Sequence, residues 1–138
     1  MIGNKTEKQR IGEIGEELAS RFLMKQGYRI IERNYRKPYG EIDIICEKAK
    51  RVVFVEVKTV SYETEKNVFR ERNGVVSGGY YRPEDNIHPA KIARLSRAIE
   101  TYLMRYKKEP EWQLDILSVY LNTSAKEVKI EHLEAISL

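Results

Sequence analysis

Three carboxylates and a lysine stand in two segments rich in β-branched and apolar residues. In Arg51–Lys58, the most β-branched run of the chain, Val53, Val55 and Val57 alternate to one face. Val52, Phe54, Glu56 and Lys58 share the other. Such a run is expected at the centre of a sheet, buried on both sides. A carboxylate placed there needs a partner or a metal. The segment before it, Glu41–Cys46, alternates as well, with Glu41, Asp43 and Ile45 on one face and Ile42, Ile44 and Cys46 on the other.

A polar turn over Glu47–Lys50 makes the two segments a hairpin that pairs Cys46 with Arg51. That register sets Glu41 opposite Glu56 and Asp43 opposite Phe54. Asp43 is then a diagonal neighbour of Glu56, about 7–8 Å away at the backbone and within side-chain reach. A slip by one residue would send Asp43 to the other face. Glu41, Asp43, Glu56 and Lys58 thus converge on one patch. Three carboxylates and a lysine suit a hard divalent cation such as Mg²⁺, which takes one or two carboxylates and completes its shell with water and phosphate oxygens. Such an ion neutralises a phosphate and acidifies a bound water. Lys58 would hold the attacking water or the charge developing on phosphorus. The bland alternative is a salt-bridge network around Lys58 on a solvated sheet edge, against which the valine-rich run argues.

The elements that position these residues are legible from periodicity. Ile11, Ile14, Leu18 and Phe22, widened by Ala19 and Leu23, predict a helix over Glu7–Gln26 that Gly27 caps. Gly12 and Gly15 inside it imply a close backbone approach or a later helix start. Tyr28–Tyr35 reads as a strand and Arg36–Gly40 as a turn. Thr59–Pro89 has no clear periodicity, and a stretch of that length is usually functional or mobile. Ala90–Lys107 forms a second helix, with Ile92, Leu95, Ile99, Tyr102, Leu103 and Tyr106 on one side. Trp112–Leu121 and Glu127–Leu133 are two final strands around a turn at Asn122–Lys126. Consecutive strands predict antiparallel hairpins, and the later helix allows a crossover to a parallel neighbour. The expected fold is α/β, a mixed sheet with the order α-β-β-β-α-β-β, built as one domain over residues 1–138 with a long loop at 59–89.

Composition agrees with a globular protein. Of 138 residues, 41% are hydrophobic and 33% charged, and 25 Lys and Arg against 21 Asp and Glu leave a net charge of +4. That excess permits an anionic partner without demanding one. The lone cysteine, Cys46, excludes an internal disulfide and a Cys-rich zinc site. The longest apolar run, Val52–Val55, is far too short to span a bilayer. Met1–Arg10 is polar, without the core of a signal peptide, so a cytoplasmic protein with no membrane partner is expected. No phosphate-binding glycine loop, HExxH or GxSxG motif is present.

Gly40-Glu41-Ile42-Asp43 followed by Phe54-Val55-Glu56-Val57-Lys58 resembles the split motif of the PD-(D/E)xK nuclease superfamily. More closely, the chain resembles the YraN-like family of small bacterial proteins with a restriction-endonuclease-like fold. Gly15-Glu16-Glu17-Leu18-Ala19, Gly27-Tyr28-Arg29-Ile30, Arg33-Asn34-Tyr35-Arg36, Lys91 and Leu114-Asp115-Ile116 carry that likeness, which covers nearly the whole chain except Tyr62–His88. The D…ExK pattern alone is weak, and the flanking segments in order make it specific. The resemblance implies Asp43 and Glu56 as metal ligands for Mg²⁺ or Mn²⁺ and Lys58 as the catalytic lysine. Glu16 would reach the site from the first helix, as the helix acid does in similar Holliday-junction resolvases. Glu41 is added as a ligand by spacing. Two departures stand out. Where the family often has an arginine two residues after the lysine, Val60 stands here and removes a phosphate-positioning contact. The following loop carries its own acids, Glu63, Glu65, Glu71, Glu84 and Asp85.

Basic clusters could grip phosphates: Arg33, Arg36 and Lys37 before the acidic hairpin, and Lys91, Arg94 and Arg97 on the second helix. Arg36, Lys37, Lys91 and Arg94 are the expected nucleic-acid contacts. A solvated basic face is the alternative for the helix. Tyr80-Tyr81-Arg82 could stack on bases. His88 and His132 lack ligand spacing and read as structural or surface residues, Trp112 as core, and Asp115 as a capped or edge aspartate. The leading expectation is a metal-dependent endonuclease acting on DNA, branched or single-stranded, in which water attacks phosphorus. A homodimer would suit a two-strand cut. The alternatives are a nucleic-acid-binding module of the same fold with little catalysis, and a protein-interaction adaptor using the long loop.

Overall fold

In the computed structural model, residues 4–63 and 89–138 are described in full, and the backbone alone at 68–71 and 74–77. The element order is α1 (Glu7–Lys25), β1 (Arg29–Lys37), β2 (Gly40–Lys48), β3 (Arg51–Glu63), β4 (Val68–Glu71), β5 (Gly74–Ser77), α2 (Pro89–Leu103), β6 (Trp112–Asn122) and β7 (Glu127–Leu133). This is the expected mixed α/β arrangement in the order α-β-β-β-α-β-β, with two short strands added after β3. The region read as unpatterned from Thr59 therefore begins with ordered backbone. Thr59–Glu63 continue β3, and 68–71 and 74–77 form a short antiparallel pair. Their cross-strand partners lie far along the chain or within a few residues, so no long local period announces them. Tyr80, Tyr81, Arg82 and His88 lie outside the described residues.

Strand β3 organises the sheet. One edge pairs in parallel with β6 along nearly its whole length, from Val52↔Trp112 to Tyr62↔Asn122. The other edge is shared. Arg51–Val55 pair with β2, and Val60–Glu63 pair with β4. Between those two partners the sheet forks at Glu56–Thr59. Strands β1, β2 and β3 form antiparallel hairpins, and β6 and β7 a third. The crossover through α2 supplies the parallel neighbour.

The β2–β3 hairpin is tighter than the sequence suggested. Ala49 and Lys50 alone make the turn, at φ 51° and 63°, so Lys48 pairs with Arg51 and Cys46 with Val53. The register differs from expectation by two residues. Because strand side chains repeat every two, the faces of β3 are unchanged. The extra strand length comes from a two-residue turn with positive φ at both positions, whose twist matches the flanking strands.

Each face of the sheet is covered by one helix. Ile45, Val52 and Phe54 pack with Leu95, Ile99 and Tyr102 of α2. Ile44, Val53, Val55, Val57, Leu117 and Val119 pack with Ala19 and Leu23 of α1. Helix α1 starts where expected, held by a capping box in which Thr6 Oγ1 accepts the Gln9 N–H and the Gln9 side chain accepts the Thr6 N–H. Its buried face is narrower than the apolar stripe. Gly12, Gly15, Ala19, Ser20 and Leu23 are buried, whereas Ile14 is 49% exposed. Gly15 lies so close to β3 that a Cβ there would collide with the Thr59 hydroxyl. Small residues let the helix approach, and the approach sets which side is buried. Helix α2 ends at Leu103, earlier than its periodicity implied. The following amides turn back three residues, Arg105 N–H to Tyr102 O and Tyr106 N–H to Leu103 O, and the chain leaves the helix axis.

Candidate functional site

The site grows out of the fork. After the Ile44↔Val55 pair, β2 diverges from β3, and the next β3 amide on that edge loses its ladder partner. Asp43 replaces it: Asp43 Oδ2 accepts the Val57 N–H at 2.8 Å. The alternation of β2 breaks here. Ile42 packs on the α2 side with Ile45, while Ile44 and Cys46 pack under α1. The simple expectation that Ile42, Ile44 and Cys46 share a face is thus corrected. On β1, Asn34 has a left-handed φ of 53° between the Arg33↔Ile44 and Tyr35↔Ile42 pairs, opposite Asp43. Asparagine tolerates that conformation better than most residues.

Glu56 and Lys58 keep the regular alternation of β3 and project to the α2 side. All three charged groups are buried, Asp43 at 5%, Glu56 at 3% and Lys58 at 6% exposure. Lys58 Nζ is 3.8 Å from Glu56 Oε1. A second lysine is closer. Lys91, in the first turn of α2, places Nζ 2.6 Å from the same oxygen. Burial alone would lower the Lys91 pKa, but the charge and hydrogen bond of Glu56, with smaller contributions from Lys58 and Asp43, raise it above its ordinary value. Lys91 is therefore held as an ammonium. Helix α2 reaches this position because Gly40 has no side chain, where a Cβ would strike the Arg94 carbonyl.

Clefts open on both sides of the fork. One, of about 510 Å³, is lined by Glu16, Arg36, Glu41 and Asp43 with Lys5 and Lys8 from the start of α1. The other, of about 420 Å³, is lined by Glu41, Glu56, Lys91 and Arg94. Glu41 lines both. Glu16 thus lines the Asp43 side of the fork from α1, and Asp43 on β2 lines the first cleft while Glu56 on β3 lines the second. Arg36 is exposed and 3.6 Å from Glu41. Arg94 is exposed at the mouth of the second cleft. Lys37 lies over the Tyr35 ring at 5.1 Å and lines neither cleft. Arg33 is engaged elsewhere, 2.9 Å from Glu17. Val60 is fully buried.

The second group of chemistry-bearing side chains lies on the α1 side of the sheet. Asp115 is fully buried in β6. Its Oδ1 accepts from Gln113 Nε2 at 2.8 Å and from Ala135 N–H at 2.9 Å, and its Oδ2 is 2.7 Å from His132 Nε2. The His132 ring packs edge-on to Phe22 and tilted against Tyr28. With Glu134 the ligand atoms lie within 4.8 Å of one another, a set of donor type and spacing able to hold a metal ion. Asp115 is thus neither capped nor at an edge, and His132 has an acid partner after all. The only sequence signal was an aspartate in an apolar strand. Its partner sits on the neighbouring strand across the β6–β7 turn, where spacing along the chain does not reveal it. Trp112 packs edge-on to Phe54 at the border of the core, as expected of it.

No helix among the described residues is long and apolar enough to cross a membrane. The profile of the Uncharacterised protein family UPF0102 matches residues 15–119. A UPF0102 protein of Syntrophomonas wolfei is 37% identical over 124 residues, covering 89% of this chain and 93% of its own. UPF0102 protein FP2501 of Flavobacterium psychrophilum is 38% identical over 128 residues, 93% of each chain. Among solved structures, Pyrococcus furiosus SfsA in complex with Ca²⁺ overlaps 100% of this chain and 75% of its own, at 14% identity and a TM-score of 0.37. Matched by profile and by relatives over most of its length, the chain belongs to the Uncharacterised protein family UPF0102.

Proposed function

We propose that the chain is a divalent-metal-dependent nuclease that hydrolyses DNA phosphodiesters, with branched or single-stranded DNA as substrate. The observation that supports this reading is the fork itself. A sheet opens at its most buried strand, and an aspartate, a glutamate and a lysine occupy the opening between two clefts edged with Lys5, Lys8, Arg36 and Arg94. Burying three ionisable groups opposes folding, and such an arrangement is typical of a working site.

Asp43 and Glu56 fit a hard cation. Both are oxygen donors, Asp43 is oriented by a backbone amide, and Mg²⁺ or Mn²⁺ asks for one or two protein carboxylates with water and phosphate as the remainder. An ion held there would polarise the phosphate and acidify a water. Glu16 and Glu41, in the cleft beside Asp43, would hold waters of that shell. Lys58, buried and fixed by Glu56, would stabilise the charge that builds on the phosphate as water adds and the bond to the departing sugar oxygen breaks. Arg36, Lys37 and Arg94 would bind neighbouring phosphates and set the strand's position without reading its sequence.

The test is cleavage of branched and single-stranded DNA with Mg²⁺ by wild type, Asp43→Asn and Glu56→Gln. Both variants should lose activity while keeping the wild-type circular dichroism. Wild-type cleavage by either one would remove that residue from the site. A second reading, a binding module with little catalysis, draws on two facts: Lys91 already neutralises Glu56, and buried Val60 offers no phosphate contact. It expects no cleavage by wild type, and salt-dependent DNA binding that survives both substitutions.

A further inference from the structure

Glu56 Oε1 carries two ammonium groups, Lys91 at 2.6 Å and Lys58 at 3.8 Å. The charge of Glu56 is therefore already offset by two lysines before any ion enters. We infer that Lys91 is a tethered cation holding the place of the divalent metal at Glu56, and that it moves onto a substrate phosphate when the metal binds. This rests on the metal-dependent reading above and assigns Lys91 a role that reading leaves unspecified.

The two lysines are not equivalent. Lys58 is on the same strand as Glu56, and its side chain is 7% exposed. It has nowhere to go. Lys91 is 36% exposed, on the first turn of a helix, and its side chain lines both the 420 Å³ cleft and the adjoining 460 Å³ cleft on the α2 side. A four-carbon stem and a compact charge let its nitrogen move several ångströms without disturbing α2. A buried carboxylate left without a cation is costly, so some positive charge must sit at Glu56 in the empty protein. Lys91 supplies it. A divalent ion brought to the same oxygen is repelled by Lys91, and one of the two must leave.

The consequence is a linkage between metal and substrate. Bare protein binds metal weakly, because Lys91 competes for Glu56. A phosphate in the cleft gives Lys91 another partner and removes the competitor, and by reciprocity bound metal strengthens the hold on phosphate. The metal is thus favoured where there is a strand to cut.

Calorimetric titration with Mn²⁺ tests this without relying on cleavage. Lys91→Met, which keeps the stem and removes the charge, should bind Mn²⁺ roughly 5- to 100-fold more tightly than wild type, the usual range of a coupling between sites. Lys91→Arg should stay weak, which separates charge from bulk. The gain should vanish in Lys91→Met combined with Asp43→Asn. If Mn²⁺ binding depends on Asp43 but Lys91→Met binds no more tightly than wild type, the inference fails and the metal reading stands. If the gain persists in the double variant, Lys91 guards some other place and the inference fails as well. If neither wild type nor Lys91→Met binds Mn²⁺, both are overturned.

Discussion

The Asp43 carboxylate takes the Val57 amide at 2.8 Å where β2 parts from β3, so one side chain both ends a ladder and fixes the orientation of a candidate ligand. The two roles separate by substitution. Asparagine retains an oxygen that can accept the Val57 N–H, whereas alanine leaves a buried donor unpaired. Asp43→Ala should lose about 1–3 kcal/mol of stability that Asp43→Asn largely keeps. Urea unfolding of the two variants measures the difference, and equal losses would show that the bond does not support the fork.

Lys58 offers a separate test of chemistry against structure. It is buried on the strand that holds Glu56, and Lys91 remains to neutralise that acid if Lys58 is removed. Lys58→Met should therefore fold and still bind Mn²⁺, while cleavage falls by roughly 100-fold or more, as when other oriented donors to a developing charge are removed. Cleavage unchanged in Lys58→Met would reduce the lysine to a counter-ion.

The packing of α1 on β3 depends on Gly15. A methyl there meets the Thr59 hydroxyl, which is itself buried, so the helix must shift. Gly15→Ala should destabilise the protein by about 1–3 kcal/mol despite alanine's better helix propensity. Gly15→Ala combined with Thr59→Ser, which removes a methyl but keeps the hydroxyl in the way, should recover little. Gly15→Ala with Thr59→Ala, which removes the hydroxyl but leaves the Cβ at 59 only 2.8 Å from the new methyl, should recover part of the loss in thermal denaturation and more than the serine variant does.

Asp115 is held by three donors, of which His132 is the one side chain contributed by β7. His132→Ala leaves Asp115 with Gln113 and the Ala135 amide, and removes an aromatic contact with Phe22 and Tyr28. A loss of about 1–3 kcal/mol is expected. Mn²⁺ binding at the fork should be unchanged, because this cluster lies across the sheet. A fall in that binding would mean that the ion sits at Asp115, His132 and Glu134 instead.

Burial, with a smaller push from Asp115, raises the Cys46 thiol from about 9 to about 12. The native thiol should resist alkylation at pH 8 and react fast in urea. Because the folded state favours the protonated thiol, its contribution to stability is complete below pH 9 and is lost as pH rises towards 12. Melting temperature should fall across that window, and less steeply in Cys46→Ala. Identical slopes would show that the thiol does not titrate with unfolding.

Much of the architecture was legible along the chain because it depends on local repetition. The valines of β3 marked the central strand, and the periods of three and four marked both helices. A side-chain repeat of two kept Glu56 and Lys58 on one face even though the turn was placed two residues wide of its position. What escaped was set by partners distant in sequence. Ile14 was expected in the core, yet Gly15 and Thr59 decide how α1 lies and leave Ile14 half exposed. Asp115 read as a capped or edge aspartate, because His132 meets it only across β6 and β7. Lys91 read as a phosphate contact on the open face of the second helix, because nothing near it in sequence shows that Gly40 admits α2 closely enough for it to reach Glu56.

The sequence by itself determined the order of the elements other than β4 and β5, the acidic hairpin and its lysine, since side-chain alternation and β-branched composition act over a few residues. Only the tertiary structure decided that the sheet opens between β2 and β4, that Asp43 turns to close the ladder there, and that a helix lysine neutralises Glu56. Those features follow from which strand edges remain unpaired once β3 is shared among three neighbours, and from the need of buried charges to find partners wherever the fold brings them.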